Sequence, residues 1–524
     1  MRSLRVGIDV GGTFTHAVAI DNTTLEIVHH AVAPTTHHHA HGVAEGIVQV
    51  FGQLLEKLPD SKVVFLAHST TQATNALLEG DVVKVGILGL GGALDLKAKA
   101  DMDVGSIELA PGKYLHSLLS YVNDKDLSPE TLRPALEKLK QEGCGAIVAS
   151  QPMSVDDSSG ELMAMEVAGQ LDLPACGGHE MSGLYGLQKR TRTAVLNASI
   201  LPKMIETAVM TEGGLRRAGV MAPLMVMRSD GGVMSLDEVR KRPVLTLLSG
   251  PAAGIAAALV YLRASDALFL EVGGTSTDIC LVKDGKAAIQ SATLGGHPTF
   301  LKTLDSRTLG VAGGSMLRAA PGSKAEVGPR SAHLAGCAYV SFTEPDWFDE
   351  SVQLVAEKPL ASDPDYWVFR KGDEKVAITT TCAANFLGFV PSGGYSQGQS
   401  ASLEIAFERL GKASGLEPKV LAEAMLENAA DKVIPTVKQL IQDYKVEDRA
   451  IKLIGGGGGA AAIVPYVAKK LGLPHEIAPR AEVISAIGAA LAMVKESIER
   501  NIVNPSQNDL SALRAEAERA VIRM

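Results

Sequence analysis

The sequence predicts an α/β protein built from two related half-molecules, and three observations carry that prediction. One glycine-centred stretch occurs twice, as Asp9-Val10-Gly11-Gly12-Thr13-Phe14-Thr15-His16 and as Glu271-Val272-Gly273-Gly274-Thr275-Ser276-Thr277-Asp278. Five of its eight positions are identical, and both copies open on an acid. Short apolar runs alternate with amphipathic stretches in the rhythm of β-α-β units. A helix of small residues accompanies each half, at 249–258 and 485–492.

Each copy of the repeat follows one apolar run (4–8; 267–270) and precedes another (17–20; 279–282). Strand, glycine turn, strand is a β-hairpin with an acid at its mouth. Paired glycines permit φ > 0 and close approach of another group to the backbone. Threonine hydroxyls and loop N–H groups can donate to phosphate oxygens. Two copies half a chain apart suggest two halves closing on one phosphorylated ligand.

The other elements follow in order. A third strand is expected at 26–33 and an amphipathic helix at 42–58. Between them His37, His38, His39 and His41 invite a metal ion. With no carboxylate at ligand spacing, a polar loop or a helix start capped by Thr36 is the favoured reading. A strand at 63–67 runs into a polar loop, His68-Ser69-Thr70-Thr71, that opens a helix. Such strand ends hold ligands in α/β proteins; capping by Ser69 or Thr70 is the alternative. Strands are expected at 82–88 and 145–150, and helices at 128–142 and 158–171. The chain turns at Gly177-Gly178-His179-Glu180 and enters a helix carrying Arg190 and Asn197. A strand at 224–227 ends in Arg228-Ser229-Asp230-Gly231-Gly232, where Asp230 either caps a helix or faces a ligand.

The helices at 249–258 and 485–492 read as close packing contacts and a hinge. Residues 283–400 are less regular and read as an insertion, with 343–376 on its surface; 400–445 is helical. A strand at 451–454 feeds Gly455-Gly456-Gly457-Gly458-Gly459 and then a helix. Five glycines in a row have no role in a packed core. They read as a loop where a flat ligand or phosphate lies on bare backbone at a helix N-terminus. The expected domains are 1–190, 191–500 with its insertion at about 283–400, and a helical tail at 501–524.

Composition narrows the function. A chain of 524 residues is too long for one core. Hydrophobic residues at 46% and charged residues at 21% are ordinary for a soluble globular protein. The net charge of -9, with no basic block, argues against nucleic acid or an anionic membrane as partner. Five scattered cysteines with no CxxC pair fit the reducing cytoplasm. No apolar run reaches the roughly 18 residues of a membrane helix, and the N-terminus lacks a signal peptide's apolar core.

Taken in order, glycine hairpin, small-residue helix, glycine hairpin, polyglycine loop and small-residue helix resemble the ATPase fold shared by actin, sugar kinases and heat-shock chaperones. The fold expected is α/β, with two ribonuclease-H-like ATPase half-domains flanking a nucleotide cleft and carrying inserted subdomains. Within that superfamily the wording is most similar to the hydantoinase A/oxoprolinase family. The similarity lies in Gly7-Ile8-Asp9-Val10-Gly11-Gly12-Thr13-Phe14-Thr15, in Thr70-Thr71-Gln72-Ala73-Thr74-Asn75, and in 190–198, 229–234, 249–254, 272–278, 310–315, 327–332 and 455–459.

The resemblance implies ATP-dependent opening of a cyclic amide such as a hydantoin, a lactam or 5-oxoproline. The γ-phosphoryl group would pass to the amide oxygen, and water would attack the activated carbon. It implies that Gly11, Gly12, Gly273 and Gly274 cradle phosphates, with Thr13, Thr15, Thr275 and Thr277 as donors. Asp9, Glu271 and Asp278 would be the catalytic acids, Asp9 and Glu271 holding Mg²⁺. Gly455, Gly456, Gly457 and Gly458 would lie against the adenosine, and substrate would meet His68, Thr70, Thr71, Arg190 and Asp230. A second hydantoinase-type subunit and a homo-oligomer are the protein partners left open. A small-molecule kinase or an ATP-driven reactivating protein of the same fold are the alternatives. Departures from the family pattern mark a short, divergent subgroup: His16 and Glu271 where Asp is usual, Ala383 in place of an acid, Ala312 in place of Gly, and an end soon after 485–492 where relatives carry a further domain.

Overall fold

A computed structural model of the protein describes residues 2–12, 14–36, 42–92, 94–294, 296–319, 325–446 and 451–523. Thr13 and His37, His38, His39 and His41 lie outside the described residues. The chain forms two compact units, one of 1–256, 289–304 and 489–524, the other of 257–288 and 305–488.

In the first unit the glycine repeat is a hairpin of Arg2–Val10 and Phe14–Asp21, with Ile27–Pro34 as third strand. Ser61–Thr70 pairs in parallel on the other side of Arg2–Val10. Leu224–Met227 follows in parallel, and Val233–Ser235 closes the edge antiparallel. Both faces of this sheet are covered, so Leu4, Val6, Ile8 and Val10 are buried together with Ala17, Val18, Ala19 and Ile20. The helix Val43–Glu56 lays Val43, Ile47, Val50, Phe51 and Leu54 into that core, one stripe at helical spacing. The helix Leu187–Arg217 is buried over the whole stretch 190–201.

A second sheet in this unit runs in the order Ser106–Ala110, Lys113–Asn123, Val85–Gly91, Ala146–Ser150, Ala175–Gly177. Helices Pro129–Gln141 and Ser159–Gly169 pack on it through Leu132, Leu136, Leu139, Ala164 and Val167. Ser128 and Thr131 form a reciprocal capping box at the start of the first of these helices.

The second unit repeats the first sheet's plan. Ala267–Val272 and Thr277–Lys283 form the hairpin, and Lys286–Ala287 and Ser306–Leu309 both pair with its outer strand. Lys452–Gly456 and His475–Ile477 continue in parallel on the other side. Helices Ser400–Ser414, Pro418–Asp443 and Ala460–Leu471 supply much of its core, including Phe407, Met425, Val433 and Val464. Among the described residues no helix is long and apolar enough to cross a membrane.

Several expectations change. The boundary expected near 190 gives way to a first unit reaching Ala256, because Leu224–Met227 pairs with Ser61–Thr70 and cannot leave that sheet. The insertion expected at 283–400 is split. The hairpin of Ile289–Leu294 and His297–Leu304 belongs to the first unit, where the Leu304 N–H donates to the Ser229 carbonyl at 2.9 Å. The tail expected at 501–524 also belongs there; its helix Gln507–Arg523 is tied by an Arg500–Glu516 ion pair at 2.8 Å. Residues 343–376 are no surface insertion: Gln353–Glu357, Tyr366–Lys371 and Glu374–Ala377 form a sheet that buries Tyr366, Val368 and Phe369. The strand at 63–67 extends over Ser61–Thr70, so His68, Ser69 and Thr70 are strand residues and not loop.

Candidate functional site

The two hairpin mouths are built alike, one in each unit. In the first unit the turn closes with the Gly11 N–H donating to the Phe14 carbonyl at 3.1 Å; in the second Gly273 donates to Ser276 at 3.0 Å. Register pairs Asp9 with His16 and Val10 with Thr15. It pairs Glu271 with Asp278 and Val272 with Thr277 in the same way. None of Gly11, Gly12, Gly273 or Gly274 adopts a left-handed φ, so strain does not require glycine here. Gly12 and Gly274 are exposed, and a Cβ on Gly12 would meet nothing within 4 Å. The bare face of Gly12 is open to an approaching group, while a Cβ on Gly274 would touch the Tyr339 hydroxyl at 3.5 Å.

Asp9 is half-buried and accepts a hydrogen bond from the Ser69 hydroxyl, its neighbour across the parallel pair. Burial pushes the Asp9 carboxyl above its ordinary range, while the Ser69 hydroxyl and His16 pull it back. In the second unit Glu271 accepts from the Ser485 hydroxyl, at the head of the small-residue helix Ile484–Leu491. Asp278 accepts from the Thr308 hydroxyl of the adjacent strand; burial raises its carboxyl and Thr308 opposes the rise. Each mouth therefore holds an acid tied down by a hydroxyl.

The threonines differ from expectation. Thr15 is fully buried and its hydroxyl meets that of Thr35 at 3.1 Å, which in turn donates to the Gly11 carbonyl at 2.9 Å. Thr277 is fully buried and donates to the Val311 carbonyl at 2.6 Å. Strand alternation turns both away from the acids, and their hydroxyls brace the hairpins. Thr275 is half-buried in the turn.

The glycine run also differs. Gly455 and Gly456 belong to the strand Lys452–Gly456. A Cβ on Gly455 would meet Ile477 at 2.8 Å, and one on Gly456 would meet Phe269 at 2.6 Å. These two glycines serve close core packing, the role the sequence denied them. Gly457, at φ +82°, turns the chain; its Cβ would lie 2.3 Å from the Val272 carbonyl oxygen. Gly459 donates to that same carbonyl at 2.9 Å. Gly458 lies beside Tyr395 and precedes the helix Ala460–Leu471.

Of the expected substrate residues, His68 is buried and its Nδ1 meets the Ser69 carbonyl at 3.2 Å. Burial holds its imidazole down at about 4. The Thr70 hydroxyl accepts from the Gln72 N–H at 3.2 Å at the start of helix Gln72–Glu79, whose N-cap residue is Thr71. Thr71 is half-buried at that helix's N-terminus. Arg190 is fully buried; it donates to the Leu184 and Gln151 carbonyls, both at 3.1 Å, and to the Ser154 hydroxyl at 3.3 Å. Its guanidinium fastens loops. Asp230 accepts from Gly232 at 3.2 Å inside its own turn and pairs with Arg228 at 3.3 Å and Lys495 at 3.5 Å. Ala383 is fully buried in the apolar core of the second unit, which leaves no room for the family's acid.

The sequence reading names Ser69 as a ligand-loop or capping residue but not as the partner of Asp9, and it gives Ser249 and Ser485 no role of their own. Ser249 accepts from the Thr70 N–H at 3.0 Å and donates to the Thr70 carbonyl at 2.7 Å, locking the strand end behind Ser69. A signal existed: both small-residue segments open on serine. Gly313 and Gly314 are missed as braces; they donate to the Gly273 and Gly274 carbonyls at 3.1 and 3.0 Å.

The comparisons agree with this architecture. A caprolactamase subunit alpha from Pseudomonas jessenii is 24% identical over 523 residues, covering 94% of this chain and 70% of that protein. An acetophenone carboxylase gamma subunit from Aromatoleum aromaticum is 27% identical over 397 residues, 67% of this chain and 53% of its own. The crystal structure of the ATP-dependent caprolactamase from Pseudomonas jessenii superposes with a TM-score of 0.67 at 21% identity, over 99% of this chain and 76% of that one, which establishes the shared fold. The family model for the hydantoinase/oxoprolinase N-terminal region matches residues 5–171, and the hydantoinase/oxoprolinase model matches 190–498, more than half of the chain. With both regions matched in order, the chain belongs to the hydantoinase/oxoprolinase family.

Proposed function

We propose that the protein uses ATP to open a cyclic amide. The observation that carries this reading is the recurrence, in both units, of an exposed-glycine hairpin with a hydroxyl-held acid at one register position: Asp9 with Ser69, and Glu271 with Ser485. Family membership and the lactam-opening relative support the choice of substrate class.

The ring amide is resonance-stabilised, and water adds to it slowly. Attack of the amide oxygen on the γ-phosphorus of ATP releases ADP and leaves a phosphorylated imidate. Water then adds to its carbon, the C–N bond breaks as a proton passes to the departing nitrogen, and a second water hydrolyses the resulting acyl phosphate to the open-chain carboxylate and phosphate. Such a transfer needs positioning and charge neutralisation above all. The Gly11 and Gly273 N–H groups close the turns, and the exposed glycines beside them, Gly12 and Gly274, are where we place the phosphates, with Gly458 assigned to the nucleoside. Asp9, Glu271 and Asp278 are the acids available to orient the attacking groups.

The carboxylate in either mouth is a ligand type that suits Mg²⁺. No cluster of three or more His, Cys, Asp or Glu that could hold a metal occurs among the described residues. Mg²⁺ needs none, since it is held by one or two carboxylates together with phosphate oxygens and water. Asp9 and Glu271 are the carboxylates we assign to it; the ion would neutralise phosphate charge. The five cysteines are free and buried, and we place the reaction in the cytoplasm. Because the relatives above are named as subunits, we propose that a second subunit completes the assembly.

The test is incubation of the purified chain, alone and with any subunit that co-purifies, with ATP, Mg²⁺ and a panel of hydantoins, lactams and 5-oxoproline. ADP release that depends on a ring compound and yields its opened form is expected. A stable phosphorylated product would make the protein a kinase. Turnover stimulated only by another protein would make it a reactivating factor.

A further inference from the structure

Behind the strand end His68-Ser69-Thr70 lies a cavity of about 10 Å³, lined by His68, Gln72, Thr211, the Thr70 and Thr207 hydroxyls that already have partners in the Gln72 N–H and the Lys203 carbonyl, and apolar side chains that include Ile47 and Val226. Three buried side-chain atoms on its wall have no hydrogen-bond partner: His68 Nε2, Gln72 Oε1 and Thr211 Oγ1. His68 and Thr211 are only 5% and 1% exposed. Buried polar groups are almost always bonded, so three orphans around one hole call for an occupant.

Their chemistry specifies it. His68 Nδ1 lies against a carbonyl, which can only accept, so Nδ1 carries the proton and Nε2 is a lone pair. Gln72 Oε1 is also an acceptor, whereas the Thr211 hydroxyl can donate. The occupant must give two hydrogens and take one. No charged side chain lines the cavity, so an ammonium ion would enter without a counter-charge, which is costly. Neutral water matches in valence, and the volume is about that of one water-sized sphere.

We propose that this cavity binds a single water molecule that donates to His68 Nε2 and Gln72 Oε1 and accepts from Thr211. The water ties the strand end to helix Leu187–Arg217, which carries Thr211, and to helix Gln72–Glu79. His68 is thereby a positioning residue: it fixes the strand from which Ser69 reaches Asp9. That last step rests on the ATP reading above; the water site does not.

A crystal structure of the full chain at a resolution that orders water tests the site directly. Density within hydrogen-bond distance of all three atoms is expected; an empty cavity, or side chains bonded to each other, overturns the proposal. In solution, ¹⁵N spectra of His68 should show the proton on Nδ1 and no titration between pH 5 and 8. Thr211→Val should displace the Nε2 resonance and Thr211→Ser should restore it. A His68 that titrates normally, or an Nε2 resonance indifferent to Thr211→Val, refutes the water. For the positioning role, Thr211→Val should lower kcat for ATP turnover severalfold with KM unchanged, and Thr211→Ser should recover it. Unchanged kcat in Thr211→Val with a displaced Nε2 resonance leaves the water standing and removes the positioning role.

Discussion

The two hairpins share register, turn closure and a hydroxyl-held acid, yet they are braced differently. In the second unit the turn is gripped from two sides: Gly313 and Gly314 hold its carbonyls, and Gly459 holds Val272. In the first unit the Thr35 hydroxyl reaches the Gly11 carbonyl. The residue facing the acid differs too, His16 against Asp9 but Asp278 against Glu271. One mouth pairs an acid with a base and the other pairs two acids. The duplicated scaffold is therefore constant where it shapes the turn and variable where charge is set, as expected if phosphate geometry is common to both mouths and the chemistry is not.

Removing the acids breaks the comparison most sharply. Asp9→Asn and Glu271→Gln should each lower ATP turnover by at least about 100-fold, the scale of losing one electrostatic contact to a transition state. Stability should move the other way for Asp9. Its folded-state carboxyl lies above the ordinary range, so the native protein holds that proton more tightly than the unfolded chain does. Its contribution to stability is present at low pH and declines as pH rises from the ordinary carboxylate range to the raised value. Asp9→Asn should then leave the melting temperature at pH 7 unchanged or higher. A clear drop, seen by calorimetry, would show that Asp9 is a structural acid.

The glycines come next. Gly457→Ala forces a left-handed residue and a Cβ 2.3 Å from the Val272 oxygen, and should cost about 3 kcal/mol in chemical denaturation. Gly12→Ala meets nothing within 4 Å, and its stability should change by less than about 0.5 kcal/mol. If phosphate lies on that open face, ATP turnover should nevertheless fall at least tenfold. Equal activity in Gly12→Ala would take the phosphate away from the first hairpin.

Exchanging the charge partner sharpens the contrast further. His16→Asp gives the first mouth the paired acids of the second. A like charge opposes ionisation, so the acid limb of the turnover–pH profile should shift to higher pH. An unmoved limb would mean that Asp9 is not the group whose ionisation activity requires.

How far the sequence carried these conclusions depended on the range of the interaction. The hairpins, their mouth acids and helix Val43–Glu56 were legible because glycine punctuation and periodicity are local. The hydroxyls on the acids were not: Ser69 and Ser485 arrive by parallel pairing and by a helix 214 residues away from Glu271. Gly455 and Gly456 misled for the same reason, since only the packed Phe269 and Ile477 show why their side chains must be absent. The unit boundary was invisible because Leu224–Met227 is claimed by a strand more than 150 residues earlier. Thr15 and Thr277 are another case. Their orientation was available from the period of two: Asp9 and His16 share one face, Val10 and Thr15 the other.

That alternation also ranks the smallest effects. Thr15→Val and Thr277→Val should leave KM for ATP unchanged, because neither hydroxyl points to the acid's side. Each loses one hydrogen bond, worth about 1 kcal/mol, but the losses should not be equal. Among the described residues Thr277 is the donor to the Val311 carbonyl, and its removal strands that acceptor. Thr15 meets a hydroxyl, that of Thr35, which keeps its own bond to the Gly11 carbonyl. Thr277→Val should therefore be the more destabilising of the two in denaturant titrations. The reverse order, or a severalfold rise in KM for either, would return these threonines to the phosphate side of their hairpins.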